Sequence, residues 1–244
     1  MRKIFVVEAK LHLRDWPTMF FCIGLPLVLL LALGNIPDMS KPDPNLGGQR
    51  SIDTLLPAMM TLLALLTLSC TVLPAVLTGY REQGVLRRMS MTPVHPGRLL
   101  AAQLLINLAV GVVSTSLLIV VGHLVLGTAM PRQFLGFVLV FLLGSAALLA
   151  IGLVIASIAP NGKTAPGIGS AVMFPLMFLA GMWFPRDIMP DALRTVSDFS
   201  VAGPFAQALR DTWAGHPPQL LHVAVMAGGL LLFGGLAVRL FRWE

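Results

Sequence analysis

The chain has 244 residues, 56% of them hydrophobic and only 11% charged, and its apolar runs repeat at lengths able to cross a hydrocarbon core about 30 Å thick, which takes roughly 20 helical residues. That leaves no room for a separate soluble catalytic domain of the usual ~100 to 200 residues. The net charge of +6 and a pI near 10.2 are those of a membrane protein whose basic residues gather on cytoplasmic loops and at lipid headgroups, so no nucleic-acid partner is implied.

Ahead of the first apolar run, Phe5, Val6, Ala9, Leu13 and Trp16 fall on one helical face, with Lys3, Lys10 and Arg14 together on a neighbouring one. This pattern over 1–16 predicts a helix lying in the inner interface, in preference to a merely basic topogenic flank. No small-residue cleavage pattern closes the run that follows, which reads as a retained first span. Six spans are predicted, at 16–35, 55–80, 99–126, 134–159, 166–184 and 220–241. All should be helices, because lipid leaves no water for backbone groups and the runs lack the alternation of a barrel strand. Pro166, Gly167, Gly169, Pro175 and Gly181 make the fifth the weakest. Between the last two spans, 185–219 is expected to form an outer, partly membrane-embedded hairpin of two short helices, 190–199 and 204–213, with Phe205, Leu209 and Trp213 at four-residue spacing in the second. The expected fold is an all-α integral membrane protein, one transmembrane domain over 1–244. Cys22 and Cys70 lie inside spans and read as small buried hydrophobes, with neither a disulfide nor a metal site implied.

Orientation is read from the basic residues. With the N terminus inside, eleven of the seventeen Lys and Arg residues are assigned to the cytoplasm: Arg2, Lys3, Lys10, Arg14, Arg81, Arg87, Arg88, Arg98, Arg132, Arg239 and Arg242. Lys41, Arg50, Lys163, Arg186, Arg194 and Arg210 are assigned to the other side. Both termini are thus expected in the cytoplasm of a multi-pass protein of the cell membrane.

Every acidic residue lies outside the central part of the spans, and His123 alone is an ionisable group well within one. Ion-coupled carriers usually need intramembrane charges, and a lone His near a span end is more often a hydrogen-bonded interfacial residue than a relay. Nor does any span present paired aspartates, a Ser with a base, or a zinc-binding pair of histidines. Ser157-Ile-Ala-Pro-Asn-Gly-Lys-Thr164 ends like a phosphate-binding loop, but Ser157 stands where its first glycine is required and a membrane helix precedes it in place of a strand. The segment is expected on the outer side, as a Pro-Asn-Gly turn. The chain shows no energy source of its own.

The loop 80–98 differs from an ordinary connector. Helix-favouring residues run from Arg81 to Met91, Gly84 permits a bend, and Thr92-Pro93 stops the helix. The result is a short helix across the end of the bundle, with Arg81, Arg87 and Arg88 facing water and Val85, Leu86 and Met89 free for an apolar contact.

Arg81-Glu-Gln-Gly-Val-Leu-Arg-Arg-Met-Ser-Met-Thr-Pro-Val94 resembles the signature of type 2 ABC-transporter permeases, an Arg-Glu-x-Gly, a Leu, basic residues and Thr-Pro at these relative positions. Phe174-Pro175, Phe178-Leu-Ala-Gly181, Phe184-Pro185 and Met189-Pro190 are similar to that family's outer-side motif, in which Pro175, Gly181 and Pro185 are the matching positions. Met89 stands where Leu is usual and Ala180 where Ser is common. With the basic N-terminal helix and six spans, the likeness covers essentially the whole chain and is nearest to drug- and antibiotic-resistance exporters.

The resemblance implies the membrane subunit of an ABC exporter, with no cofactor on this chain and ATP and Mg on a partner ATPase present in two copies. A second permease subunit, identical or different, completes the pathway within membrane lipid. Arg81, Glu82, Gly84, Leu86, Arg87, Arg88 and Pro93 would then couple the chain to its ATPase, with Leu86 filling an apolar notch. Thr61, Thr67, Ser69 and Thr71 are candidates for the pathway of an amphiphilic or hydrophobic substrate, or else bond to a carbonyl of their own helix. Gly111, Ser114, Gly144, Gly152, Gly167 and Gly181 would permit close helix packing. The alternatives are the permease of a polysaccharide or lipid exporter or flippase, and a stand-alone lipid-modifying enzyme, for which the acids are missing.

Overall fold

The computed structural model describes residues 2–43, 48–85, 97–183 and 189–240. Its helices in chain order are α1 (Arg2–Arg14), α2 (Trp16–Gly34), α3 (Leu55–Glu82), α4 (Gly97–Leu126), α5 (Phe134–Ile158), α6 (Ala165–Leu179), α7 (Asp191–Phe199), α8 (Ala202–Ala214) and α9 (Leu220–Leu240). Between α2 and α3 a two-residue antiparallel pair joins Pro42–Asp43 (β1) to Gln49–Arg50 (β2), which the sequence did not announce. Among the described residues, five helices are long and apolar enough to cross a membrane: α2, α3, α4, α5 and α9.

The expected span at 166–184 is shorter than read, since α6 has 15 residues. Its stop is conformational. Gly181 takes φ +83°, and the N–H groups of Gly181 and Met182 turn back to the carbonyls of Phe178 and Met177, a left-handed cap that glycine adopts without a Cβ penalty. Pro175 sits inside the same helix, where it removes one backbone donor.

The bundle is built around α3 and α5, whose most apolar windows are 72% and 61% buried against 17% for α9. Glycines set how closely they approach. A methyl on Gly152 of α5 would strike the Ser69 carbonyl of α3, and one on Gly169 of α6 would strike the next carbonyl, that of Cys70. Both carbonyls lie in a wide turn, Thr67–Val72, where α3 opens to an i→i+5 pattern. A second wide turn, Phe20–Gly24, interrupts α2, and Ser114 of α4 donates from Oγ to its Cys22 carbonyl at 2.8 Å. In each case a neighbouring helix supplies either a small residue or a hydroxyl where the regular backbone pattern is broken.

α8 is more deeply buried than its sequence suggested. Phe205, Leu209 and Trp213 are 0%, 0% and 2% exposed, the Phe205 ring lies against Gly144 of α5, and the Trp213 indole meets Phe137 edge-on at 4.8 Å. It forms part of the core. Cys22 and Cys70 are buried free thiols.

Two assignments of basic residues are corrected by the way the chain folds. α4 carries the chain away from the Arg81 end, so the connector holding Arg132 lies at the opposite end, beside Arg50, Asp53 and Trp213. α5 then returns it, and Gly162, next to Lys163, sits against Gly79 and the Glu82 carboxylate. Arg132 and Lys163 therefore exchange sides. Among the described residues, the excess of basic residues at the Arg81 end survives the exchange.

Candidate functional site

The candidate site is the end of the bundle where α3 finishes. A helix leaves its last carbonyls without intrahelical donors, and α5 ends here at Ile158. Arg81, one residue before the end of α3, supplies donors: Nη1 reaches the Ala156 carbonyl at 3.5 Å and Nη2 bonds the Ala159 carbonyl. A guanidinium at a helix C terminus is also favoured by the helix dipole. Arg81 is thus half-buried against α5, where the sequence predicted a water-facing side chain.

One residue earlier, Tyr80 donates to Glu8 of α1 at 2.6 Å, and the same Glu8 oxygen accepts from Gln103 Nε2 of α4 at 2.6 Å. Gln103 is 2% exposed. Glu8 therefore ties α1, α3 and α4 together at one point, a polar junction that fixes relative helix position in a low-dielectric setting, with Gln103 Oε1 buried and unpartnered among the described residues. Past this junction the Glu82 side chain is exposed, Gly84 takes φ +64°, and the backbone is helical again at Val85. Gly84 has nothing within 4 Å of a would-be Cβ, so its need for glycine is conformational and not steric. Leu86, Arg87, Arg88 and Pro93 lie outside the described residues.

The segment ending in Gly162-Lys163-Thr164 belongs to this end too, contrary to the outer placement expected from sequence. It is a closed turn. Asn161 Oδ1 accepts from the Thr164 N–H at 2.8 Å, and Thr164 Oγ1 donates to the Asn161 carbonyl at 3.2 Å. A phosphate cradle needs such N–H groups free and aimed at one point, and here α5 precedes the turn where a strand would be needed.

The sequence matches the profile of ABC-2 type transporters over residues 3–213, most of the chain. The chain belongs to the ABC-2 type transporter family. It is a multi-pass membrane permease, a transporter subunit without an ATPase domain, and permeases of this family pair with ABC ATPase subunits that carry the nucleotide. It is also 22% identical over 234 residues to "Putative transport permease YvfS" of Bacillus subtilis (strain 168), an alignment covering 96% of this chain and 93% of that one.

In this ABC-2 permease the four hydroxyls considered for the pathway divide into two kinds. Thr67 and Thr71 are half-buried and donate to carbonyls one turn back, Leu63 at 2.8 Å and Thr67 at 2.6 Å. Thr61 and Ser69 are wholly buried within the protomer. Ser69 reaches the Leu66 carbonyl at 3.3 Å, while Thr61 Oγ1 has no hydrogen-bond partner among the described residues. Bonding to the parent helix therefore accounts for three of the four. His123 is held locally as well, its Nδ1 2.9 Å from the Thr128 carbonyl. Of the outer-motif residues, Gly181 forms the cap described above, Pro175 is exposed within α6, and Pro185 lies outside the described residues.

At the opposite end the connectors are tied to each other. Arg50 and Asp53 form a two-point ion pair at 2.7 and 3.0 Å, Asp53 also accepts from the Ala129 N–H at 2.8 Å, and Trp213 Nε1 donates to the Ala129 carbonyl at 3.2 Å. Ser197 Oγ of α7 reaches the Leu179 carbonyl at the end of α6 at 2.6 Å. Sequence reasoning missed Glu8, Gln103 and Ser197. Their signal was a polar side chain in or beside an apolar run, visible in sequence but without an identifiable partner.

Proposed function

We propose that this permease is the membrane half of an ABC exporter with six spans and cytoplasmic termini, moving an amphiphilic or hydrophobic compound outward as a homodimer or heterodimer. The observation that carries the reading is the junction at the end of α3. A helix continuing past Gly84 would be attached through Tyr80 to α1 and α4, and through Arg81 to the end of α5. Closure of a partner ATPase against residues 84–91 would thus act on four helices at once. The wide turn at Thr67–Val72 gives α3 a break in its regular hydrogen bonding above this junction, where the helix can bend without melting. In this reading Leu86 sits in an apolar cleft of the ATPase, and Glu82, Arg87 and Arg88 make polar contacts that orient it. Drug- or antibiotic-like compounds are the substrate class favoured by the family resemblance.

The test is paired. Leu86→Asp places an unpaired carboxylate in the apolar contact, a cost of several kcal/mol, and should lower the ATPase co-purified per permease by orders of magnitude. Glu82→Ala, and Arg87 and Arg88 both changed to Ala, should retain most of the partner but reduce transport per ATP hydrolysed, because exposed polar contacts orient more than they bind. If all variants insert normally and keep full assembly and full transport, the loop is a topological anchor only.

A further inference from the structure

A partly open groove of about 200 Å³ runs between α1, α2 and α4, bounded by Ala9 and His12, by Ile23, and by Ile106, Ala109 and Val113. Its walls are apolar except for one group. His12 is 8% exposed, and its Nε2 has no hydrogen-bond partner among the described residues. Leaving a buried imidazole nitrogen unpaired costs free energy unless something enters the groove to meet it. Burial lowers the His12 pKa, partly offset by the nearby Asp15 charge, so the ring is neutral at neutral pH and able to donate from one nitrogen. Lys10 and Arg14 are exposed on the same helix, which suits α1 to the depth of lipid headgroups, where glycerol esters lie.

We propose that this groove holds one acyl chain of a membrane phospholipid, with the ester carbonyl at the head of that chain accepting a hydrogen bond from His12 Nε2. The chain satisfies the apolar walls and the ester satisfies the imidazole. The site would make α1 lipid-responsive, since Glu8 on the same helix holds Tyr80 and Gln103. The inference requires only a membrane-embedded chain and is independent of export.

The test uses the full-length protein in vesicles containing a trace of diester phosphatidylglycerol with a diazirine partway along one chain, or its diether analogue, which lacks the carbonyl. After illumination, labelled peptides are mapped. The diester should label 5–23 and 106–113 above the outward face of α4 at Leu117, Val120 and Leu124, which are exposed in the protomer. The diether should label the groove roughly threefold to tenfold less, the range of one net hydrogen bond. His12→Ala should erase the diester–diether difference, and Ala109→Phe or Ala9→Phe, each adding bulk to an open groove, should remove groove labelling without loss of folded protein. Groove labelling no stronger than on the outward face means ordinary surrounding lipid, or a second protein copy over the groove, and overturns the proposal. Equal labelling by diester and diether in the unaltered protein overturns the role of His12.

Discussion

Arg81 and Glu8 show how single side chains at a membrane boundary can have structural roles that their charge alone would not suggest. Arg81 spends its donors on helix-end carbonyls of α5, so Arg81→Met should lower stability by about 1–3 kcal/mol, the cost of leaving such groups unpaired. Arg81→Lys keeps a donor and should lose less. Thermal unfolding of the purified permease in mild detergent separates the two. At Glu8 the prediction runs the other way, because a Gln amide oxygen still accepts from Tyr80 and Gln103. Glu8→Gln should stay within about 1 kcal/mol of the parent, whereas Glu8→Ala leaves the buried Gln103 amide short of an acceptor and should cost about 1–3 kcal/mol. A Glu8→Gln variant as unstable as Glu8→Ala would mean that the negative charge, and not the hydrogen bonds, holds the junction. Lys163→Ala should leave the ATPase rate of the assembled complex unchanged, since the turn around it has already used its Thr164 N–H.

At the scale of elements, the contact between α5, α3 and α6 depends on two glycines set against successive carbonyls. Gly152→Ala and Gly169→Ala each force a methyl into a backbone oxygen that has no rotamer to change, and should destabilise by at least the roughly 1–3 kcal/mol typical of overpacking. Gly167→Ala is the internal control, because nothing lies within 4 Å of its would-be Cβ. The folded fraction after solubilisation, read by size-exclusion chromatography for the three variants together, checks the ranking. These elements also mark where the sequence is legible. The long helices could be placed closely because lipid demands an unbroken apolar run and aqueous residues bound it at both ends. The wide turns could not be found: through Thr67–Val72 the hydroxyl residues Thr67, Ser69 and Thr71 alternate with Leu68, Cys70 and Val72 and bond to their own helix, so a slip in helical phase leaves no trace in the pattern of charged and apolar residues. Gly152 was recognised as a packing residue and Gly169 was not, since a glycine in an apolar run does not say which backbone it meets. In the candidate site, Arg81 and Gly84 were singled out from their motif, but the partner of Arg81 on α5 and the role of Glu8 depend on contacts between residues more than 70 positions apart.

For the whole molecule, the fold divides the connectors into two ends, with Arg81, Glu82 and Gly162 at one and Arg50, Asp53, Ala129 and Trp213 at the other. Under the orientation proposed from the positive-inside rule, the first end would face the cytoplasm. With Cys22 and Cys70 replaced by Ala, Lys163→Cys should resist an impermeant thiol reagent in intact cells and react after permeabilisation, whereas Arg132→Cys should react from outside directly. Both residues are exposed at their ends, so lack of reaction is not explained by burial. Labelling in the reverse order would invert the molecule in the membrane. The sequence-based error at these two positions was one of counting crossings, not of chemistry.

The wide turn in α3 has a further consequence, for the length of the chain. Such a turn adds one residue to the helical count, and a residue in a regular helix advances the angle by about 100°. From Leu73 onward α3 is therefore rotated by that amount relative to an uninterrupted helix, and Arg81 meets the Ala159 carbonyl in the rotated frame. Deleting one residue between Thr67 and Val72 should let the helix close into regular form with Tyr80 and Arg81 still facing their partners, because the wide turn already absorbs that residue, whereas deleting one from the regular stretch 73–79 with the turn retained would swing both away by about 100°. The segment acts as a phase buffer: it holds one residue more than a regular helix of the same phase would need.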